Sequence, residues 1–464
     1  MGQRRDVLVR RIQKLVKKNQ SLIRENEELR KALDEFRAQN GLMKQTLKDA
    51  DIEIGEPELS SLAGGSRKYE MATVLFAYIG GFRKLTREDA SEKLMDQLDE
   101  VLITFDRILK KYGIQKIKTI GDTYMAAGGV PVKNITNPID VVMAALEMHK
   151  FLNAQEAGRD ARVWKMSLGI HTGPVTAQLM GKRKISYDIK GDTVNIAHRM
   201  QSVSESGKVL VSVMTYELIK EFFQCEYYGK MPVKYKNDLE MFVVNGIKAG
   251  YAADEMGTLP NALFNTRFKL IQFNDIQEII LDKLERELPS CLYYHNVKHT
   301  VDVVTEVELI GWAEGLDDEG ILLLKTAALF HDAGHTVSYE DHEYHGTVLA
   351  RKMLPAYAYS AEQIDKICEI IMATKLPPAP KDIYQQIICD ADLDYLGRSD
   401  MIPVSNTLYK ELREQKKIGS LNDWNKLQLS FISGHSYFTK TARNLREVNK
   451  QKQIERIRRL ITED

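Results

Sequence analysis

Six of the ten histidines in this 464-residue chain lie between positions 295 and 345, where even spacing would leave about one. They are His295, His299, His331, His335, His342 and His345, and four of them form two short patterns, YHNVKH (294–299) and HDAGH (331–335). Within each pattern the histidines are four apart, the spacing that sets two side chains on one face of a helix. Asp332 adjoins His331, and CDADLDY (389–395) adds Asp390, Asp392 and Asp394. Imidazole nitrogens and carboxylate oxygens together suit a divalent transition metal, or a mixed pair of hard and borderline ions. A lone His-Asp dipeptide is more often a satisfied core or surface pair, but the full constellation favours metal chemistry. His342, Glu343 and His345 read equally as part of that set or as a solvated helix face.

A second group of residues lies upstream. FAYIGGF (76–82) is an apolar strand that reaches Tyr78 and then a glycine pair. KTIGDTYMAAGG (118–129) puts Asp122 in a Gly-Asp turn between two strands, and GIHTGPV (169–175) reads as a glycine-punctuated turn. YDIKGDTVNIAHRM (187–200) sets Asn195 and Arg199 four apart on one helical face. Each stretch alone is weak, because an Asp in a turn is ordinary turn chemistry and an Asn/Arg pair is ordinarily a solvated face.

These residues need elements to hold them. Residues 1–56 carry a heptad seam, with Leu8, Leu15, Leu22 and Leu29 at one core position and Asn19, Asn26 and Asn40 at the other. Asparagine there favours a parallel two-stranded coiled coil, so this segment is expected to dimerise the chain. After a linker at 57–70, strands and helices alternate to about residue 250: strands near 71–79, 115–120, 164–170 and 185–189, helices near 88–111, 138–155 and 193–204. That alternation predicts an α/β or α+β domain over 71–250. A connection at 251–275 leads into a region, 276–464, that reads almost wholly helical.

Composition narrows the classes. Lysine plus arginine equal aspartate plus glutamate at 65 each, so no net field favours nucleic acid. Four scattered cysteines suggest neither zinc nor a disulfide framework. No apolar run approaches the length of a membrane span, so no integral membrane contact and a cytoplasmic location are expected.

The three upstream stretches, in this order, closely resemble class III nucleotide cyclases over roughly 71–250, which implies a ferredoxin-like α/β domain. By that resemblance Arg199 would stabilise the α-phosphate in the transition state and Asn195 would orient the ribose. Lys118 and Asp188 match the base-reading pair, and their donor and acceptor fit adenine rather than guanine. Lys234 or Lys236 would reach the triphosphate, loosely, because the family's glycines around them are missing. In the family two aspartates hold magnesium or manganese; Asp122 matches the second, but Tyr78 stands at the first. A phenol, with an ordinary pKa of about 10, is neutral at pH 7 and does not replace a bridging carboxylate. The resemblance also implies active sites that straddle a dimer interface, through self-pairing or with a partner that supplies both aspartates.

The histidine-rich region resembles the HD superfamily of metal-dependent phosphohydrolases, an all-α fold, and within it the cyclic nucleotide phosphodiesterases. By that resemblance His299, His331, Asp332 and Asp392 would bind a first ion, with Asp390 the competitor of the preferred Asp392. Asp332 would bridge to a second ion, His335 would sit in the outer shell or near that second ion, and His295 would be the general acid. Zinc, manganese, iron or magnesium would suit. The phosphodiesterase purine clamp is not identifiable in 400–464, so a 3′,5′-cyclic nucleotide is one substrate and a nucleotide mono- or triphosphate or a cyclic dinucleotide are others. The expectation is a multidomain α+β signalling protein. Its HD domain hydrolyses a phosphoester, and its adenylate-cyclase-like domain binds adenine nucleotide and regulates it. The alternatives are a bifunctional adenylate cyclase and a non-catalytic subunit that pairs with an active cyclase.

Overall fold

The computed structural model describes residues 66–80, 92–156, 165–180, 186–233 and 238–462. The heptad segment, Lys234 and Lys236 lie outside them. Leu62–Asp464 group as one compact unit. Among the described residues no helix is long and apolar enough to cross a membrane.

The first half is a mixed sheet. Strands β1 (Ser66–Gly80), β2 (Gln115–Ile120), β3 (Thr123–Gly128), β4 (Lys165–Met180), β6 (Val209–Ser212), β8 (Leu239–Ile247) and β7 (Phe223–Met231) lie in the order β2-β3-β1-β4-β6-β8-β7, and β5 (Ser186–Lys190) pairs with β4. β1 is buried on both faces. Leu75, Ala77 and Ile79 point to one core, while Val74 and Phe76 point to the other, as the two-residue period of a strand requires. Helices α1 (Glu92–Lys111), α2 (Asn137–Glu156) and α4 (Val213–Ile219) belong to the first face, and α3 (Asp192–Val203) covers the second.

The expected turn at GIHTGPV is instead the interior of β4. Its glycines serve packing: a Cβ on Gly169 would lie 2.2 Å from the Gln201 nitrogen of α3, and one on Gly173 would lie 2.7 Å from Thr193 Oγ1. The helix that carries Asn195 and Arg199 can settle onto the sheet only because those side chains are absent.

The second half is helical: α5 (Ala262–Glu287), α6 (Val297–Ala313), α7 (Asp318–Phe330), α8 (His342–Met353), α9 (Ala361–Met372), α10 (Ile383–Asp392), α11 (Met401–Glu414), α12 (Leu421–Gly434) and α13 (Lys440–Leu460). The stretch read as a connection, 251–275, is half helix, because α5 serves two cores. Phe264 packs edge-on against Phe222 with centroids 4.8 Å apart in the core of the sheet. Phe273, Ile276, Ile280 and Leu284 of the same helix belong to the helical core.

Two carboxyls mark this junction. Both oxygens of Asp275, on α5, accept from the Ile135 N–H at 3.1 Å. Asp140 accepts from Thr136 and Asn134 in the same loop. Burial pushes Asp140 up to about 7, against the lowering effect of those two hydrogen bonds, and pushes Asp275 up to about 6. The folded state therefore holds protons that the unfolded chain releases near pH 4, so this contribution is full below that pH and is lost as pH rises through 6 to 7. A tenfold difference in proton affinity between the two states corresponds to about 1.4 kcal/mol. Asp140→Asn is accordingly expected to flatten the melting temperature between pH 4 and 8 and to raise it by a few degrees at pH 8. Melting curves that keep the wild-type pH slope would contradict this.

Candidate functional site

The chain interrupts its helices where the histidines fall. Asn296 caps α6 by accepting from the His299 N–H at 3.1 Å, so His295 precedes the helix and His299 lies in its first turn. α7 ends at Phe330; His331 and Asp332 occupy the break, and His335 lies in a 3₁₀ turn, Ala333–Thr336. The expectation of one helical face for each pair is therefore corrected. A Cβ on Gly334 would come within 1.9 Å of the His342 carbonyl, so this glycine is what lets α8 cross directly over the break.

The result is a convergent cluster. His299 Nε2 lies 3.1 Å from Asp392 Oδ1 and 3.3 Å from Asp332 Oδ2. His331 Nε2 lies 3.2 Å from Asp332 Oδ2 and 3.6 Å from Asp392 Oδ1, and the two Nε2 atoms are 3.4 Å apart. Ligands 2.0–2.2 Å from one ion are separated by about 2.9–3.5 Å, so His299, His331 and Asp392 have close to the spacing of a coordination shell, with Asp332 Oδ2 beside both imidazoles. His331 donates its Nδ1–H to the Ala328 carbonyl at 2.7 Å, which turns Nε2 inward. The α10 carboxylates part company, being two residues apart on a helix. Asp392 joins the cluster, while Asp390 accepts from the Phe438 and Thr439 N–H groups at 2.8 and 2.7 Å.

The other oxygen of Asp332 faces a second group. His342 Nε2 is 3.5 Å and His335 Nε2 3.9 Å from Asp332 Oδ1, and the two imidazoles stack at 3.9 Å. Glu343 lies 3.5 Å from His342, whereas His345 packs on Tyr344. Both ring nitrogens of His335 are buried without a hydrogen-bond partner among the described residues, and Asp332 Oδ2 meets its two imidazoles as ion pairs without hydrogen-bond geometry. A buried polar atom left unpaired costs free energy, and a cation shared among these atoms would remove that cost.

The charges agree with that fit. Burial lowers His299, but Asp332 and Asp392 outweigh it and hold the imidazole up at about 9. Burial alone would raise Asp332 and Asp392, yet the facing imidazoles hold both below the usual carboxylate range. Protons thus stand where an ion would, and metal binding would release them. Burial pushes His335 down to about 3, leaving the neutral imidazole that a metal requires.

Glu411, on α11, is a residue the sequence reading missed. Its side chain is fully buried, and it accepts from the Tyr294 and His295 N–H groups at 3.0 and 3.3 Å and from His295 Nδ1 at 2.5 Å. Burial pushes the Glu411 carboxyl up, but the hydrogen bond from His295 outweighs it, so an ionised Glu411 accepts and His295 Nε2 is left to face the cluster. Its one sequence signal is an acid on the apolar stripe of Met401, Val404 and Leu408. His295 also offers an atom close enough to Asp332 and His335 to share an ion with them. His295→Ala separates the roles. For a proton donor, turnover should fall about 10²-fold with metal content unchanged, whereas loss of an ion would mark a ligand.

Two pairs of the upstream residues come together. Lys118 Nζ lies 2.9 Å from Asp188 Oδ1, so the two residues read as a base-recognising pair are side by side. Tyr78 pairs with Thr123 of β3, and the Ile79 N–H donates to the Asp122 carbonyl at 2.8 Å, which brings Tyr78 next to Asp122. Asn195 and Arg199 are exposed on α3.

Residues 65–246 match the family described as the adenylate and guanylate cyclase catalytic domain, and residues 296–394 match the HD domain. An adenylate cyclase of Mycobacterium tuberculosis is 35% identical over 201 residues, 43% of this chain and 44% of that one. A receptor-type guanylate cyclase of Caenorhabditis elegans is 35% identical over 189 residues, 39% of this chain and 16% of that one. The solved adenylyl cyclase CyaB of P. aeruginosa aligns at 30% identity over 39% of this chain and 95% of that one, with a TM-score of 0.36. The chain spans less than half the length of these curated relatives. It joins a class III adenylate and guanylate cyclase domain at 65–246 to an HD domain at 296–394.

Proposed function

We propose that the HD domain is a metal-dependent phosphohydrolase of the cyclic-nucleotide phosphodiesterase type, and that the cyclase domain binds adenine nucleotide and regulates it. The observation that carries this reading is that the Nε2 atoms of His299 and His331 each lie within 3.1–3.6 Å of a carboxylate oxygen of both Asp332 and Asp392. Those four residues would hold one divalent ion, and Asp332 with His335 and His342 a second. Bound ions would supply Lewis acidity toward the phosphoryl oxygens and an activated water. His295, oriented through Nδ1 by Glu411, presents Nε2 to the leaving oxygen and delivers its proton there. The resulting neutral imidazole stays in place through the same carboxylate.

Two observations support a nucleotide-binding role for the cyclase domain, and a third supports its coupling to the HD domain. The Lys118–Asp188 pair is assembled, Asn195 and Arg199 stand exposed as a dimer-shared site requires, and α5 runs from one core into the other. A nucleotide that tightens the first core would act on the second through α5. The second reading, a bifunctional adenylate cyclase, is favoured by Asp122 and the intact base pair. The third, a non-catalytic subunit completing a partner's cyclase site, is favoured by the same exposed Arg199.

The test is metal analysis of the purified full chain, followed by hydrolysis of bis(p-nitrophenyl) phosphate and cyclic AMP with manganese, with and without ATP. Bound or required metal, and a rate that ATP changes, are expected. Absence of both metal content and metal dependence removes the HD reading.

A further inference from the structure

A cavity of about 240 Å³ lies beside the cluster, between α6, α10 and α11. His299 and Asp392 form part of its wall, so it adjoins the place where a phosphate would bind. Four further acids line it, and they are not equally served. Asp302 accepts from Lys298 at 2.6 Å and from Arg398 at 3.1 Å, and Arg398 also donates to Asp400 at 2.6 Å. Those two cations balance those two acids. Glu306 and Asp394 share one guanidinium, that of Arg446, which lies 3.3 Å from Glu306 Oε1 and also donates to Asp394 Oδ1. Among the described residues no other cation lies at ion-pair distance from either acid. One negative charge is left over.

Each of these two acids also has an idle oxygen. Glu306 Oε2 and Asp394 Oδ2 are buried without a hydrogen-bond partner among the described residues, and the Asp394 side chain is only 5% exposed. A buried carboxylate oxygen left without a donor is costly, and an apolar side chain of the same shape would avoid that cost. Stability alone therefore does not account for the pair. Glu306 stands seven residues, or about 10 Å, along α6 from His299. Tyr293, Tyr294 and Tyr395 line the same cavity, and aromatic rings attract cations rather than anions.

We propose that this cavity is a subsite for an amino or ammonium group carried by the phosphoester substrate, with Glu306 and Asp394 as its acceptors. The inference rests on the phosphohydrolase reading and adds a specificity determinant to it. An N–H donor that enters the cavity satisfies the idle oxygens, and a positive one also cancels the surplus charge. A second phosphate would meet that charge and be repelled. The exocyclic amine of a nucleobase and an alkylammonium share the required chemistry.

The test uses the full chain with manganese and two chromogenic diesters, 6-aminohexyl p-nitrophenyl phosphate and heptyl p-nitrophenyl phosphate. They match in length and differ in the terminal ammonium. The aminohexyl ester should show a kcat/KM at least about tenfold higher, the scale of one hydrogen bond to a charged group. Glu306→Gln should bring the two esters within about twofold by slowing the aminohexyl ester alone, and Asp394→Asn should act in the same direction. Unchanged turnover of the heptyl ester in Glu306→Gln reports an intact fold and metal cluster. A second arm titrates cyclic AMP and its 6-deamino analogue as inhibitors, in an Asp188→Ala background that removes base reading by the cyclase domain. A preference for cyclic AMP that Glu306→Gln erases assigns the cavity to a base; a preference confined to the aminohexyl ester assigns it to an alkylammonium. No preference within either pair, or an equal fall of both esters in Glu306→Gln, overturns the proposal, the latter marking a structural role. If neither ester is hydrolysed at all, the phosphohydrolase reading has failed and the subsite falls with it.

Discussion

Asp332→Asn is expected to lower hydrolysis of bis(p-nitrophenyl) phosphate by about 10³-fold or more and to reduce the divalent metal that copurifies with the protein. Asp332 meets both halves of the site: Oδ2 lies 3.2–3.3 Å from His331 and His299, and Oδ1 lies 3.5–3.9 Å from His342 and His335. An amide keeps the shape but carries no charge, and its N–H groups would face imidazole nitrogens whose lone pairs an ion needs. A loss of 10³ corresponds to about 4 kcal/mol of transition-state stabilisation, the scale of removing one preorganised charge from a water-poor site. His335→Ala, by contrast, removes a group from the second half alone, so it should cost one ion and leave the other. Metal analysis beside turnover separates the two variants. Wild-type rates in Asp332→Asn with metal content intact would show that the cluster is structural.

The residues of this cluster were legible before their geometry. His299, His331, Asp332 and Asp392 stand out because histidine is rare elsewhere in the chain and because their side chains have little other use in a helical core. Glu411 was not legible. It lies 116 residues from His295 in sequence, and an acid in a helix such as α11 looks solvated until the fold buries it. Helical spacing also misled: four-residue steps in YHNVKH and HDAGH suggested shared faces, whereas Asn296 starts one helix between its two histidines and α7 ends before its pair. In the sheet domain, β1, β2 and α3 followed from their periods, but β4 was cut short at residue 170. Gly169 and Gly173 read as turn residues because a close helix crossing leaves the same signature in sequence. The extent of α5 was hidden for a related reason. A helix that packs its first turns into one core and its later turns into another shows no single apolar stripe, so half of it read as a connection.

Tyr78→Asp is expected to turn on cyclic AMP synthesis. The assay background carries His299→Ala and Asp332→Ala, so that the HD domain cannot consume the product, and supplies ATP with manganese. In that background the Tyr78 protein should form little or no cyclic AMP, and Tyr78→Asp should raise the rate by at least about 10²-fold, or about 2.7 kcal/mol. The register carries the argument. Tyr78 sits opposite Thr123, one residue from Asp122, on strands whose backbones lie about 4.8 Å apart. An aspartate at 78 would add a carboxylate beside the turn that holds Asp122, supplying the second acid that two metals need to neutralise a triphosphate. Tyr78 is only half-buried, so the new charge would keep part of its hydration and the fold should tolerate it. Tyr78→Phe controls for loss of the hydroxyl alone and should remain inactive. Adding Arg199→Ala to Tyr78→Asp should abolish the gained activity, as the transition-state role that the cyclase resemblance assigns to Arg199 requires. The opposite result is equally informative: cyclic AMP from the Tyr78 protein, lost on Arg199→Ala, would mean that Asp122 alone anchors enough metal. The chain would then make a cyclic nucleotide in one domain beside a phosphohydrolase in the other, and α5 would join opposing activities.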